Sequence, residues 1–237
     1  MKVVFVGPSL PQAREHASQE ISIRPPATQG DLLAAVVEGA NVIGLVDGGF
    51  EYTAPVWHKE ILFALSRGVT VFGAASMGAL RAAECAAFGM IGVGAIFQDY
   101  ASGELVDDAD VALLHTPPDM GSGALTLPMV NIRATVRKLV GPGSLQASTG
   151  DEIIQSAEQI FFKQRTWKRV VDTVRPGEQG DELVALLTRQ YVDQKRLDAV
   201  ELIETIDQFS PPKGITLKDW TFQETTTWQE IAGVSKL

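Results

Sequence analysis

The sequence is poor in the residues that form disulfides and metal centres. It contains one cysteine and three histidines among 237 residues. One cysteine excludes an internal disulfide and a zinc site made only of cysteines, and it favours a reducing compartment. The histidines, at positions 16, 58 and 115, leave little material for a histidine-rich metal site. We therefore expect no metal and no other cofactor.

Long apolar runs and basic segments are also missing. No stretch approaches the ~18 apolar residues of a membrane helix, and the apolar run at 3–6 is too short for a signal peptide. A formal net charge of −9 argues against broad binding to nucleic acid or an anionic membrane. No P-loop or phosphate-binding glycine motif is present. These absences predict a cytoplasmic protein. A length of 237 residues allows one core, or one core with an appendage.

What is present is an alternation of short apolar runs with helical patterns. This alternation predicts an α/β protein with an open, mostly parallel sheet and helices on both faces, of the flavodoxin or Rossmann type. The predicted strands are 3–6, 21–23, 42–46, 69–73 and 111–115. The predicted helices are 11–18, 31–38, 54–66, 76–88 and 129–140.

The sequence changes character at Gly141, Pro142 and Gly143, which mark the best candidate domain boundary. We predict an α/β core domain over 1–142 and a C-terminal helical extension over 143–237. Three or four amphipathic helices are expected between 145 and 208.

The segment around Ser76 is the most informative in the chain. An apolar run ends in small residues, presents Ser76 between Ala74 and Gly78, and continues into an alanine-rich helix. This is the pattern of a nucleophile elbow, G-x-S-x-G with alanine at the first glycine, in which the serine stands on a sharp strand-to-helix turn. Backbone N–H groups of Met77 and Gly78 at the helix start would stabilise an oxyanion. The alternative is that Ser76 only caps the helix.

His58 is the candidate base for Ser76. It lies near the start of a predicted helix, where the helix dipole keeps an imidazole neutral and able to accept a proton. The alternative is a packed histidine, because Leu62 and Leu65 share its helical face. A water activated by His58, with Ser76 only binding substrate, is the rival mechanism.

Asp47 is the candidate third member of a triad. It ends an apolar run before Gly48 and Gly49, so it could orient a histidine, hold a metal or cap a turn. The two glycines would let a substrate approach the backbone closely and are candidate oxyanion or substrate-binding positions. Loops 7–9, 47–49 and 75–76 follow predicted parallel strands, so we expect them to meet at one edge of the sheet.

Other candidate residues have simpler alternatives. Arg81 could hold a carboxylate or thiocarboxylate, or pair with Glu84 three residues on. Cys85 is expected to be a buried packing residue. The basic cluster 163–169 favours a solvated helix face over a docking patch for an acidic partner.

Four blocks in the same order resemble the TfuA-like family, and the resemblance spans roughly 2–140. The blocks are DGGF at 47–50, VWHKEIL at 56–62, GAASMGALRAAE at 73–84 and VNIR at 130–133. Polar residues of these blocks are added to the candidate substrate-binding positions: Lys59, Glu60, Asn131 and Arg133.

The resemblance implies a role beside YcaO enzymes in peptide backbone thioamidation, both of ribosomally made peptides and of a glycine of methyl-coenzyme M reductase. It implies that the protein releases sulfide from a thiocarboxylated, ubiquitin-like sulfur carrier of the ThiS type. The implied partners are a YcaO protein, the carrier and a precursor peptide, and a homodimer is left open. The alternative is a non-catalytic adaptor that docks these partners, whereas nothing resembles the lipid-binding cap of an ordinary esterase.

Overall fold

A computed structural model describes residues 1–49, 53–211 and 219–232, and it contains a five-stranded sheet in which every strand pair is parallel. The strands are β1 (Lys2–Phe5), β2 (Ile21–Arg24), β3 (Val42–Leu45), β4 (Thr70–Ala74) and β5 (Ile91–Val93). Their order across the sheet is β2-β1-β3-β4-β5, which is the flavodoxin-like order. The predicted α/β class and parallel sheet are confirmed.

Helices follow the strands and then continue as a helical C-terminal region. The helices of the strand-containing part are α1 (Ala13–His16), α2 (Asp31–Val37), α3 (His58–Ser66), α4 (Met77–Cys85) and α5 (Ala95–Ser102). The later helices are α6 (Met129–Val140), α7 (Ala147–Glu158), α8 (Trp167–Val174), α9 (Glu178–Arg189), α10 (Gln194–Gln208) and α11 (Thr226–Ala232). None of the helices in the described ranges is long and apolar enough to cross a membrane.

The two faces of the sheet are covered by different helices. Apolar residues of α2, α3 and α4 pack on one face. The other face is covered by α1 and by α10, whose Leu202, Ile203 and Ile206 are fully buried. Gly44 in β3 lets α10 approach closely, because a Cβ there would lie 2.5 Å from Ile206 Cδ1. A helix from the range 143–237 thus completes the α/β core, and the boundary near 142 stays a prediction.

A separate apolar cluster holds the other helices of the C-terminal region together. It joins α6, α7, α8 and α9. The last described segment, 219–232, returns to the sheet part, where Trp228 of α11 packs against Phe63 of α3 at a ring-centroid distance of 5.2 Å.

Three features of the structure differ from the sequence prediction: the start of one helix, one predicted strand that does not form, and one strand that was not predicted. Helix α3 starts at His58 rather than 54, because the chain before it is extended as far as Trp57. Within 111–115 no strand forms among the described residues beyond one isolated bridge of His115. Side chains occupy two of the backbone groups that a neighbouring strand would use, since Thr126 Oγ1 accepts from the Leu114 N–H and Lys195 Nζ donates to the Val111 carbonyl. The edge strand β5 was not predicted, because it has three residues and Gly92 at its centre.

Candidate active site

A cavity of about 330 Å³ lies at the carboxyl ends of β1, β3 and β4. Pro8 follows β1, Asp47 follows β3 and Ser76 follows β4, and all three line the cavity. In this strand order the chain reverses its winding between β1 and β3, and open α/β sheets bind ligands in the crevice at such a switch point. The three loops that we expected to meet at one edge of the sheet do so. The opposite wall is formed by residues from the loop 111–117, by 162–163 and by Lys195.

Ser76 stands on a strained turn. Its N–H donates to the carbonyl of Ala74 at 2.7 Å, and Ala75 between them has a φ of +66°. An i to i+2 hydrogen bond across a residue with positive φ is a γ-turn of the rare, strained kind. Such backbone outliers cluster at functional sites, where the surrounding structure holds them in place. The turn directs the chain from β4 into α4 within two residues.

The Ser76 hydroxyl is not used by the fold. Ser76 occupies the N-cap position of α4, but its side chain makes no capping hydrogen bond. Within the described part of the chain this hydroxyl has no hydrogen-bond partner, and the residue is 8% exposed where it lines the cavity. The capping alternative therefore finds no hydrogen bond to support it.

The two predicted oxyanion donors differ in availability. The Gly78 N–H donates to the Val46 carbonyl at 3.1 Å, so it is not free for a ligand. Gly78 is instead required by packing, because a Cβ there would lie 1.8 Å from the Leu45 carbonyl oxygen. Within the described ranges the N–H groups of Met77 and Gly48 have no acceptor. Met77 and Gly48 are thus the available donors beside Ser76.

Asp47 organises the loop after β1. Its carboxylate is 2% exposed and accepts from the Gly7 N–H at 2.8 Å, the Ser9 N–H at 2.9 Å and the Ser9 hydroxyl at 2.6 Å. These contacts leave Asp47 without a bond to His58. Turn capping, one of the alternatives open from the sequence, is what the contacts of Asp47 perform.

His58 lies outside the cavity. Its Nε2 is 2.8 Å from Glu84 Oε2, and its side chain is 44% exposed. The same carboxylate oxygen accepts from Arg81 at 2.6 Å, so Arg81 and Glu84 pair, which is one of the two alternatives open from the sequence. The structure therefore brings Asp47 and Ser76 to one cavity but does not bring His58 to either of them. The prediction that Asp47 orients His58 is wrong. Glu84 orients His58 instead, because α3 and α4 pack side by side.

Lys195 is a cavity residue that the sequence did not single out. It lies in the first turn of α10, is 2% exposed and lines the cavity together with Ser76. Its ammonium donates to the Val111 carbonyl at 2.7 Å. Burial lowers the pKa of Lys195 below its ordinary value, and the nearby carboxylates of Asp47 and Asp193 oppose that shift.

His115 is a second basic side chain of the cavity wall. Its Nδ1 is 2.8 Å from the Thr116 carbonyl oxygen. A carbonyl only accepts, so Nδ1 carries the hydrogen and Nε2 is left as the acceptor. Lys163 of the basic cluster lines the same cavity. The cluster is not one solvated face, since Arg165 is 4% exposed and donates to the Ala157 carbonyl.

Lys59 and Glu60 lie at the start of α3 rather than in the cavity. The Lys59 ammonium sits 5.0 Å from the ring centroid of Phe222. Glu60 is 2% exposed and accepts from the Gly30 N–H at 2.9 Å and the Trp57 N–H at 3.3 Å. Burial raises the pKa of Glu60 above its ordinary value, against the effect of these hydrogen bonds. Both residues hold local structure.

Asn131 and Arg133, on α6, also lie outside the cavity of Ser76. The Asn131 amide donates to Asp193 Oδ1 at 2.9 Å and accepts from the Lys195 N–H at 3.1 Å, so it fixes the start of α10. Arg133 pairs with Glu158 at 2.6 Å. Asn131 thus contacts the backbone of the cavity residue Lys195, whereas the ion pair of Arg133 lies elsewhere.

Cys85 ends α4 and is buried, as expected for a packing residue. Burial and the neighbouring Glu84 raise the pKa of its thiol to about 11, so the reactive thiolate is scarce at neutral pH. Within the described ranges, no group of three or more histidine, cysteine or acidic residues could hold a metal ion.

The order of the sheet and the cavity at its switch point define a doubly wound α/β protein with a serine in its crevice. A family model described as TfuA-like protein matches residues 47–166, which is half of the chain and includes Asp47, His58 and Ser76. The chain belongs to the TfuA-like family. The matched range ends before Lys195. A search of the curated proteins found no match.

Proposed function

We propose that this protein hydrolyses the C-terminal thiocarboxylate of a ubiquitin-like sulfur carrier of the ThiS type. The sulfide would pass to a YcaO partner for peptide backbone thioamidation. The observation that carries the proposal is the Ser76 hydroxyl, which lines a cavity at the switch point and has no hydrogen-bond partner among the described residues. Membership of the TfuA-like family also supports this proposal.

The shape of the cavity suits a thin, extended substrate. A Cβ at Gly48 would lie 2.3 Å from Met77 Sδ, and one at Gly49 would lie 2.3 Å from Thr53 Oγ1. This wall is therefore backbone, flanked by Pro8 and Pro26. An extended C-terminal tail can approach the backbone closely along such a wall.

The proposed chemistry is acyl transfer to serine. Ser76 Oγ attacks the carbonyl carbon, and the oxyanion accepts from the N–H groups of Met77 and Gly48. The carbon–sulfur bond breaks, hydrosulfide leaves, and water then hydrolyses the acyl-serine. Loss of one such oxyanion donor typically lowers the rate by about 10²–10³. The start of α4 adds its dipole to the stabilisation of negative charge.

An adaptor without catalytic activity is the second candidate. Exposed apolar side chains beside the cavity favour it, because such groups often mark protein contacts. Leu114 in the cavity wall is 40% exposed, and Phe161, whose ring packs on the wall residue Phe162, is 58% exposed. A carrier-hydrolysing enzyme would need a docking surface too, so only a measurement of sulfide release separates the two.

The test is intact-protein mass spectrometry of a thiocarboxylated ThiS-type carrier, incubated with the protein in the presence and absence of a YcaO partner. We expect the carrier to exchange sulfur for oxygen with the wild type and to remain unchanged with Ser76→Ala. Ser102→Ala is the matched control, because Ser102 lies at the end of α5 and donates only to the Asp99 carbonyl.

One outcome would contradict the proposed hydrolysis, and another would contradict the proposed nucleophile. An unchanged carrier with the wild type under both conditions would favour the adaptor. Sulfide release by a folded Ser76→Ala variant would remove Ser76 as the nucleophile and leave an activated water in its place.

A further inference from the structure

The proposed nucleophile needs a proton acceptor, and the histidine expected from the sequence is bound to Glu84 outside the cavity. We propose that Lys195 receives the proton of Ser76 and returns it to the leaving sulfur, so that the two form a serine–lysine pair. The inference rests on the proposed hydrolysis and assigns a residue beyond the range of the family match.

The fold places Lys195 with little freedom. Its backbone N–H donates to Asn131 Oδ1 at 3.1 Å, and Asp193 caps the same end of α10 by accepting from the Arg196 N–H at 3.2 Å. At the other end of the side chain, Nζ donates to the Val111 carbonyl at 2.7 Å. One hydrogen bond leaves the remaining Nζ positions for the cavity, since a lysine ammonium has three donors. Groups held in this way keep their geometry during a reaction.

The electrostatics of the cavity permit a neutral amine. Removal from water lowers the pKa of Lys195 because burial disfavours the charged form. Asp47, after β3, and Asp193, at the start of α10, act in the opposite direction. His115 from the loop and Lys163 from the turn before α8 face the same cavity. Buried lysines serve as bases in other enzymes for this reason, and serine–lysine pairs are a known variant of the triad.

Ser76, Lys195, the thiocarboxylate and one water molecule account for every proton and electron pair in the proposed reaction. Neutral Lys195 takes the proton from Ser76 Oγ as the oxygen–carbon bond forms. The carbon–sulfur bond then breaks, its electron pair goes to sulfur, and the ammonium gives sulfur the proton, so that hydrosulfide leaves. In the second half, water gives a proton to Lys195 and attacks the acyl-serine. The proton passes to Ser76 Oγ, and the acid product releases its own proton to solvent as a carboxylate.

The test compares Lys195, in the first turn of α10, with Lys2 of β1, whose ammonium contacts the last turn of α10. Lys195→Met removes the amine and keeps an unbranched side chain that is one atom shorter. Lys2→Met is the matched control, because Lys2 Nζ also donates to backbone carbonyls of this region, those of Ile206 and Asp207, and lies away from the cavity. Sulfide release from the thiocarboxylated carrier is measured against pH, and denaturant unfolding of each variant is recorded beside it.

We expect Lys195→Met to lower sulfide release by about 10²–10⁴, the usual contribution of a general base. The wild-type rate should rise with pH as the lysine loses its proton, and this rise should vanish in the variant. Lys195→Arg should be inactive as well, because an arginine stays charged. Lys2→Met should keep both the rate and the pH profile.

Other outcomes separate the inference from the function on which it rests. No release by the wild type would reject the hydrolase itself. Release by Lys195→Met with the wild-type pH profile would reject only Lys195. Loss of the pH-dependent rise in His115→Gln, with the rise retained in Lys195→Met, would assign the proton to His115. If Lys195→Met fails to fold, an active Lys195→Arg would overturn the proposal by itself.

Discussion

Replacement of Asp47 by alanine should destabilise the fold strongly, because two backbone donors, one buried and one partly buried, lose their acceptor. The N–H groups of Gly7 and Ser9 lie 2.8 and 2.9 Å from its carboxylate. The buried Ser9 N–H left unpaired costs about 1–3 kcal/mol and the partly buried Gly7 N–H about 0.5–1.5, so the free energy of unfolding should fall by about 1.5–4.5 kcal/mol. The buried Lys195 also loses a neighbouring negative charge. The Ser9 hydroxyl can rotate toward another acceptor and adds less.

Asp31→Ala is the matched control for this prediction. Asp31 also accepts from one backbone N–H, that of Thr28, at 2.7 Å and from the hydroxyl of the same residue at 2.9 Å. Asp31 lies where water can replace it, so its removal should cost about 0.5–1.5 kcal/mol. Urea unfolding followed by tryptophan fluorescence measures both variants, with an unchanged m-value as the check on the comparison. Equal losses for the two variants would refute the role of Asp47 as the anchor of the β1 loop.

Three further predictions follow from other parts of the molecule. Gly78→Ala should lower the free energy of unfolding by about 1–3 kcal/mol or more, because its Cβ would collide with a β3 carbonyl 1.8 Å away. Gly44→Ala should cost less because only side-chain tips must move, and thermal melting of the two variants compares them. Glu60→Gln should make the stability of the protein less dependent on pH. Burial raises the pKa of the Glu60 carboxyl, so the folded wild type holds the carboxyl proton more tightly than the unfolded chain and loses stability as pH rises above 4.5. The free energy of unfolding of both proteins is measured against pH above this value. Equal slopes for wild type and variant would contradict the prediction. His58→Ala should cost at most about 1 kcal/mol, as expected for an exposed pair, and should leave sulfide release unchanged. A loss of about 10²–10⁴ in that rate would restore His58 as the base.

The parts of the fold that the sequence predicted are those with local signals. The strands β1, β3 and β4 were found because their residues form short buried apolar runs ended by glycine, serine or aspartate. The edge strand β5 was missed because it has three residues and Gly92 interrupts its only apolar run.

The candidate site divides in the same way. Ser76 is marked by the small residues around a sharp turn, which is a local requirement. Lys195 carries no such mark, since a lysine in an amphipathic helix is normally solvated. Its burial depends on Val111, which is 84 residues away in sequence. The partners of Asp47 were missed for the same reason, because a carboxylate before two glycines suits several roles until β1 is placed beside it.

The position of α10 has a consequence for synthesis of the chain. All five strands precede residue 94, yet one face of the sheet is covered only in part, by α1, until Leu202, Ile203 and Ile206 of α10 arrive. Until then Val4 and Phe72 face water, and the nascent chain presents an apolar surface of the kind that chaperones bind and that aggregates. A fragment cut at the end of the family match would keep this surface permanently, so a shortened version should be insoluble although it contains every strand. Once α10 has packed on the sheet, the ammonium of Lys2 donates to the carbonyls of Ile206 and Asp207 and so links β1 to the end of α10.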